Sequence, residues 1–313
     1  MFERYQILLY LGAAAVGVVV AAVYPHSIHW QGAISPAIAF MLFVTFLQLP
    51  MLTLGRQFMQ PRFFASLFVA NFIVVPLLVA LLRPFMPSEP LVRFGMLLVL
   101  LAPCIDYVVS FAHQGKADAR SLLAATPALL LLQMVLLPVY LYGLQGATAW
   151  KLFQIGPFVQ AFVAMILVPL MLALIIQHGA KRHAWVAQAV RGTDQWPVLA
   201  TSLVLFIVVA AVMPQLQIAA ALAKQLIPYY LLFALVSPVL GWGVARLARL
   251  GVKQRRAIAF SAATRNSLVI LPLAWAVPEG APILPVVIIT QTLIELLASI
   301  IYMRLMPRLG GSS

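Results

Sequence analysis

The chain has 313 residues, of which 64% are hydrophobic and only 9% carry a charge. Water-soluble domains carry about 25% charged residues, so this composition excludes an ordinary soluble domain and indicates a chain that lies mostly in lipid. The net charge of +13 does not indicate a nucleic-acid-binding protein, because the lysines and arginines stand in short gaps between long apolar segments.

Ten apolar segments follow one another along the chain, and each has about the 20 residues that a helix needs to cross a bilayer. Gaps that contain proline and glycine separate many of them. The sequence therefore predicts an all-α integral membrane protein, with residues 1–313 as a single transmembrane domain. The predicted spans are residues 6–24, 33–53, 63–84, 93–113, 119–143, 152–177, 196–214, 222–245, 257–277 and 283–303.

The distribution of lysine and arginine over the gaps predicts the orientation of these spans. If the N-terminus lies inside, fifteen of the 20 basic residues fall on the inner side, four fall on the outer side, and Arg265 lies within a span. Positively charged loops stay on the cytoplasmic side of a membrane. We therefore predict a multi-pass protein of a bacterial-type inner membrane with both termini in the cytoplasm.

A spacing of 162 residues relates several positions in the two halves of the chain. Five spans are an odd number, so two halves of five spans would have opposite orientations in the membrane. The sequence therefore predicts two inverted five-helix repeats, over about residues 1–146 and 147–308. The related pairs are Pro76 and Pro238, Pro103 and Arg265, and Gln133 and Glu295.

Asp106, Arg265 and Glu295 are the only charged residues deep within predicted spans. Each costs about 2.5–3.5 kcal/mol at mid-membrane on the insertion scale, so such residues face a partner or a wet cavity and indicate function by default. Three buried ionisable groups in a chain of ten spans are typical of a secondary transporter.

Two spans are predicted to be interrupted. In the fourth span Pro103 lacks a backbone N–H and disfavours helix at the residue before it. The ninth span contains the polar run Ser261-Ala262-Ala263-Thr264-Arg265-Asn266-Ser267. Interrupted helices at corresponding places in two halves indicate a transport site, so we expect Asp106 and Arg265 to approach each other. The alternative is an ion pair that only holds the packing together.

Glu295 and Cys104 are the other candidates for chemistry. Burial favours the protonated form of a carboxyl group, so Glu295 is a candidate proton carrier, and the alternative is a hydrogen-bonded packing acid. Cys104 stands beside the proline of the fourth span, where a thiol offers a soft ligand. The histidines and the single cysteine form no metal-binding pattern, and no cofactor is predicted.

Short motifs in three spans carry a resemblance to a known superfamily. The fourth span has Cys104-Ile105 followed by Val108-Val109, the ninth has Asn266-Ser267, and the tenth has Leu293-Ile294-Glu295. The chain thus resembles the bile acid:sodium symporter superfamily, and within it the arsenical-resistance (arsenite efflux) permeases. The resemblance covers nearly the whole chain in topology, but Asp106 departs from the fourth-span pattern.

The resemblance also implies an ion site, from which the ninth span departs. Sodium-coupled relatives have Glu and Gln where this chain has Ser261 and Arg265, and arsenite permeases have a glutamate there that this chain lacks. An arginine keeps its charge and would repel sodium. Thr126 aligns with a sodium-coordinating hydroxyl, whereas the fourth-span Ser-Asn pair is missing. The coupling ion is accordingly a proton, carried by Asp106 or Glu295, or sodium.

The fold of these relatives implies a core domain of spans three to five and eight to ten, with the fourth and ninth spans broken and crossing. Spans one, two, six and seven would form a panel that rocks against the core. Asn71 and Gln133 are further polar residues on the core side. The candidate site residues are Asn71, Cys104, Asp106, Thr126, Gln133, Ser261, Thr264, Arg265, Asn266, Ser267 and Glu295.

The leading interpretation is export of arsenite or antimonite by proton antiport, with Cys104 as a weak soft ligand. The alternative is a sodium- or proton-coupled symporter of an organic anion, which Arg265 would neutralise. A passive channel would also use broken helices. An enzyme is not predicted, because His-Glu-x-x-His, Gly-rich phosphate-loop and Gly-x-Ser-x-Gly motifs are missing. The expected partners are the lipid bilayer and a small solute, but no nucleic acid, for a monomer or a homodimer.

Overall fold

The computed structural model describes residues 5–48, 60–105, 107–146, 152, 155–193, 195–275, 277, 280 and 283–310. Within these residues the chain is α-helical apart from short connections, and eight helices are long and apolar enough to cross a membrane. The prediction of an all-helical multi-pass membrane protein is confirmed.

Thirteen helices are named here within the described residues. Eight of the ten predicted spans are single long helices, whereas the fourth and ninth are each divided into two shorter ones, so the count of ten spans stays a prediction. The helices are α1 (Gln6–Val23), α2 (Gln31–Gln48), α3 (Pro61–Phe85), α4 (Pro90–Leu100), α5 (Val108–Gln114), α6 (Ala119–Gln145), α7 (Gly156–Arg182), α8 (Ala184–Arg191), α9 (Trp196–Ile218), α10 (Ala220–Leu247), α11 (Val252–Ala263), α12 (Ser267–Trp275) and α13 (Ile283–Leu305).

The chain divides into two compact units. The first unit comprises Met1–Arg56 and Ile155–Ala219, and the second comprises Gln57–Gln154 and Ala220–Ser313. The first unit thus contains α1, α2, α7 and α9, which correspond to the predicted panel spans, together with the short helix α8. The second contains α3 to α6 and α10 to α13, which are the predicted core spans.

In the first unit, α9 packs against both α1 and α2. Gly17 allows α1 to approach α9 closely. Any larger residue at this position would place its Cβ atom 2.9 Å from the Phe206 carbonyl oxygen. Gln177 of α7 donates from Nε2 to the carbonyls of Phe46 and Leu47 at 2.8 and 3.1 Å. This side chain thereby ties α7 to the last described turn of α2.

In the second unit, α10 packs against α11, and α13 packs against α4, α10 and α12. Gly241 allows α10 to approach α11 closely, because any larger residue there would place its Cβ atom 2.9 Å from the Ile258 carbonyl oxygen. Prolines within the long helices remove backbone donors, so carbonyl groups one turn earlier need other partners in an apolar environment.

Tyrosine hydroxyls supply two of these partners. Pro76 of α3 has no N–H for the Phe72 carbonyl, and the Tyr140 hydroxyl of α6 donates to that carbonyl at 2.5 Å. The helix widens to a π-helical turn at Ala70–Val74 just before this proline. In α10, Pro238 has no N–H for the Ala234 carbonyl, to which the Tyr302 hydroxyl of α13 donates.

Replacing Tyr140 with phenylalanine is expected to lower the free energy of unfolding by about 1–3 kcal/mol, because the Phe72 carbonyl would lose its hydroxyl donor. Thermal unfolding of the purified protein in detergent measures this loss. In a Pro76→Ala background residue 76 regains its N–H, so Tyr140→Phe should cost less there. An equal cost in both backgrounds would contradict the assigned role of the hydroxyl.

Candidate functional site

Two interruptions in helices lie side by side in the second unit. The non-helical segments are residues 101–105, between α4 and α5, and residues 264–266, between α11 and α12; we call them together the crossing. Pro103 cannot continue a helical hydrogen-bond pattern because it lacks an N–H. Thr264 is extended, with φ −108° and ψ 140°, and no proline or glycine explains this locally.

The two segments of the crossing hydrogen-bond to each other as a short antiparallel pair. The Cys104 N–H donates to the Thr264 carbonyl at 3.1 Å, and the Asn266 N–H donates to the Ala102 carbonyl at 2.8 Å. Each interruption therefore satisfies backbone groups that the other exposes, as an apolar environment requires.

Arg265 projects from the crossing with a side chain that is 0% exposed. Its Nη2 atom donates to Asn71 Oδ1 at 3.1 Å and to the carbonyls of Ser261 and Ala262 at 2.7 and 2.9 Å. Its Nη1 atom donates to the Leu100 carbonyl at 3.4 Å. The guanidinium thereby connects α3, α4 and α11.

The ring of Phe233 lies against the same guanidinium, 5.5 Å from Arg265 Cζ to the ring centroid. Aromatic faces attract cations because of their quadrupole, more strongly when water is excluded. Within the described residues this guanidinium donates its hydrogen bonds to uncharged oxygens, so dipoles hold a fixed positive charge in the second unit.

Glu295 of α13 places its buried carboxyl group against the backbone of the crossing. Its Oε2 atom accepts from the Arg265 backbone N–H at 2.7 Å and from Gln291 Nε2. Its Oε1 atom accepts from the Tyr107 hydroxyl at 2.8 Å, and this hydroxyl also lies 3.4 Å from the Arg265 carbonyl oxygen. The carboxyl group thus has three donors around it.

Several polar atoms near the crossing have no hydrogen-bond partner among the described residues. Asn266 Nδ2 donates to Gln133 Oε1 at 3.3 Å, which leaves the other end of each amide unused. Buried polar atoms normally find partners, so unused ones mark places where a ligand or water can bind. The unused atoms include Gln133 Nε2, Arg265 Nε, Asn266 Oδ1 and Gln291 Oε1.

The structure places most of the predicted site residues in or beside the crossing. Asn71 donates from Nδ2 to Ser261 Oγ at 2.9 Å, and Cys104 is buried within the crossing. Thr126 Oγ1 donates to the Leu122 carbonyl of its own helix at 3.4 Å. Asp106 lies outside the described residues, so its expected approach to Arg265 stays a prediction.

Three residues of the site were not among the sequence candidates: Tyr107, Phe233 and Gln291. Gln291 stands one helical turn before Glu295, and that i to i+4 spacing is a signal that identifies it. The two aromatic residues give no such signal, because aromatic side chains in apolar spans usually pack or face lipid. No group of three or more His, Cys, Asp or Glu side chains in the described part of the chain could hold a metal ion.

Apolar spanning helices, with buried polar side chains gathered where two of them are interrupted, define this chain as a membrane transporter. The Sodium Bile acid symporter family matches residues 35–221, which is more than half of the chain. The chain belongs to this family and is an ion-coupled transporter of small solutes. The match ends before Arg265 and Glu295, and no curated protein matches the chain.

Proposed function

We propose that this protein carries a small organic anion across the membrane by proton-coupled secondary transport, with the crossing as its coupling site. The observation that supports this proposal is the network of Glu295, Tyr107 and Arg265, in which a carboxyl group and an arginine are buried where two helices are interrupted. Buried ionisable groups within membrane spans are costly, and they commonly lie on ion and substrate pathways.

The proposal includes an inverted repeat, over about residues 1–146 and 147–308, which two hydrogen-bond patterns support. The first pattern is the bond from Tyr140 to the Phe72 carbonyl, which recurs 162 residues later as the bond from Tyr302 to the Ala234 carbonyl. Both bonds serve a carbonyl that lies four residues before a proline.

The second pattern lies within the crossing. Adding 162 to Ala102 and Cys104 gives Thr264 and Asn266, so the bond from Cys104 to Thr264 corresponds to the bond from Asn266 to Ala102. Such reciprocal bonds are expected where a pseudo-two-fold axis relates two repeats. On this basis we assign the second unit the role of the core that carries the coupling site.

A proton suits the hydrogen bonds around Glu295. In the ionised carboxylate, Oε1 accepts from the Tyr107 hydroxyl at 2.8 Å. In the protonated form, Oε1 can donate to that hydroxyl, which then donates to the Arg265 carbonyl oxygen 3.4 Å away. In both forms the Glu295 carboxyl group and the Tyr107 hydroxyl have hydrogen-bond partners. Glu295 can therefore take up and release a proton without leaving either group unpaired.

Sodium suits the surroundings of Arg265 less well than a proton suits Glu295. Hard cations bind oxygen ligands, and the oxygens of Asn71, Ser261 and Ala262 are already hydrogen-bonded to Arg265 Nη2. The arginine keeps its positive charge at any physiological pH, so a sodium ion would meet electrostatic repulsion there.

The substrate class is inferred from the family and from the charge of Arg265. The family description names a bile acid, which is an organic anion. A buried guanidinium surrounded by uncharged oxygens raises the local potential, which favours an anion nearby. Its unused Nε–H is one donor available to such a ligand.

Uptake into proteoliposomes tests the proposal. We expect an imposed proton gradient to drive accumulation of an organic anion, tested with taurocholate and with a small carboxylate, and an imposed sodium gradient to add nothing. Sodium-driven uptake with no response to the proton gradient would contradict proton coupling. Flux that only follows the solute gradient would indicate a channel.

Export of arsenite or antimonite is a second candidate function, and the sequence alone ranks it first. The supporting observation is the position of the Cys104 thiol, buried within the crossing where a soft ligand could meet a soft solute.

Replacing Cys104 with serine separates the two substrates. If the solute is an organic anion, Cys104→Ser is expected to retain most of the transport rate, within about threefold, because serine has nearly the same shape. If the solute is a metalloid, the variant loses arsenite resistance in cells. Growth in arsenite and uptake in proteoliposomes, measured on the same two proteins, distinguish these outcomes.

We also propose that the protein lies in a bacterial-type inner membrane with both termini in the cytoplasm, as a monomer or homodimer. The support is the excess of basic residues in alternate gaps between spans. Labelling of single cysteines introduced at Lys224 and Lys253 tests this orientation, because the two positions should be accessible from opposite sides.

A further inference from the structure

An apolar groove of about 380 Å³ lies in the second unit between α10, α11 and α13. It runs along α10 from Ala234 to Trp242, a distance of about 12 Å at 1.5 Å per helical residue. Ala259 of α11 and Tyr302 of α13 form part of its lining. It has no part in the coupling site described above.

The lining of this groove is apolar for a specific reason. Its one hydroxyl, that of Tyr302, donates to the Ala234 carbonyl, which Pro238 leaves without a helical donor. Both polar groups are thereby satisfied within the protein. The outer rim consists of apolar side chains such as Leu235 and Val239, which are 70% and 67% exposed. A hydrocarbon chain is the ligand that such a surface favours.

Three arginines stand close in sequence to residues that line one end of the groove. Trp242, Leu305 and Leu309 line this end. Arg246 lies one turn beyond the tryptophan, and Arg304 and Arg308 are the sequence neighbours of the two leucines. All three arginines are exposed. Tryptophan is enriched at the level of lipid headgroups, so the arginines stand where a phosphate group would lie.

Two other charged residues near this end, Arg256 and Asp118, already have hydrogen-bond partners. Arg256 donates to the carbonyls of Pro307 and Leu309, which anchors the chain after α13 beside the groove. Among the described residues, Asp118 is an acid near this end, and its backbone N–H donates to the Lys253 carbonyl. Its carboxylate caps α6 through Ser121.

The corresponding place in the first half carries different side chains. At the spacing of 162 residues, Ala234 corresponds to Phe72, whose side chain is large and buried. Pro84, Tyr142 and Gly146 stand where the second half has its three arginines. The second half thus has a small alanine and three arginines at the positions where the first half has a buried phenylalanine and three uncharged residues.

We propose that this groove binds one anionic phospholipid, with an acyl chain along α10 and the phosphate group on Arg246, Arg304 and Arg308. Charge complementarity selects the ligand, because basic side chains at a membrane interface attract anionic headgroups. Arginine also binds phosphate oxygens through paired N–H groups. Each arginine is expected to change the affinity about fivefold.

Thermal unfolding of the purified protein in detergent, with phosphatidylglycerol or phosphatidylcholine added, tests this site. We expect phosphatidylglycerol to raise the melting temperature and phosphatidylcholine to have little effect, with native mass spectrometry counting one tightly bound anionic lipid. The double variant Arg304→Gln/Arg308→Gln should weaken phosphatidylglycerol binding about 25-fold. Lys224→Gln, at the opposite end of α10, is the matched control and should bind normally.

A second variant tests the acyl-chain slot. Ala234→Phe introduces the side chain that the first half carries at the corresponding position, and it should abolish tight binding while leaving the arginines intact. The proposal would be overturned if the protein bound both lipids equally well. It would also be overturned if the double variant Arg304→Gln/Arg308→Gln bound phosphatidylglycerol as tightly as the wild-type protein does. The arginines are exposed, so their double variant tests the proposal even if Ala234→Phe fails to fold.

Discussion

Arg265→Gln is expected to reduce transport about a hundredfold, which corresponds to about 3 kcal/mol in the rate-limiting barrier. The guanidinium makes hydrogen bonds to oxygens on α3, α4 and α11. A glutamine side chain is shorter and neutral, so it leaves several of these buried oxygens unpaired and removes the positive charge of the crossing. The measurement is the initial rate of uptake into proteoliposomes per folded molecule.

Arg265→Lys should recover part of the lost rate, because an ammonium group keeps the charge and has three donors. Arg256→Gln is the matched control, because Arg256 is also a buried arginine that donates to backbone carbonyls. It lies near the start of α11, outside the crossing. The Arg256→Gln protein should be less stable to heat, but its transport rate per folded molecule should stay near that of the wild type. Normal transport by a folded Arg265→Gln protein would mean that this arginine only holds the packing together.

Glu295→Gln is expected to abolish accumulation driven by a proton gradient while exchange of solute across the membrane continues. The amide has nearly the shape of the carboxyl group. Its oxygen can accept from the Arg265 N–H and Gln291, and its NH₂ group can donate to the Tyr107 hydroxyl. Because these bonds are retained, the free energy of unfolding should change by less than about 1 kcal/mol.

Two uptake measurements check this prediction, one with a proton gradient and one as exchange without a gradient. Glu89→Gln is the matched control, because it removes the same charge from an exposed position before α4 and should leave coupling unchanged. If the Glu295→Gln protein still accumulates solute against a gradient, this carboxyl group does not carry the coupling proton.

The residues of the site differ in how readily the sequence reveals them. Arg265 and Glu295 stand out because a charge in an apolar span has no ordinary structural reason, and Pro103 predicts its own interruption because it lacks a donor. Thr264 gives no equivalent signal. Its extended conformation accompanies a hydrogen bond with Cys104, 160 positions away in the chain.

Tyr107 and Phe233 show the same limit for side chains. An aromatic residue within a membrane span has many uses, so the sequence does not distinguish the tyrosine beside Glu295 from tyrosines that satisfy carbonyls elsewhere. Thr126 stays a prediction. The resemblance implies a role for its hydroxyl at an ion site, and in the structure that hydroxyl donates to the preceding turn of its own helix.

By itself the sequence determined the membrane class, the positions of most spanning helices and the identity of the charges that need partners. These properties are local, because hydrocarbon forces each segment to satisfy its backbone internally and a helix does so with neighbours four residues away. Only the tertiary structure decided which groups meet at the crossing. The contacts of Glu295 with Tyr107 and of Arg265 with Asn71 join residues 188 and 194 positions apart, and no local pattern specifies such a pair.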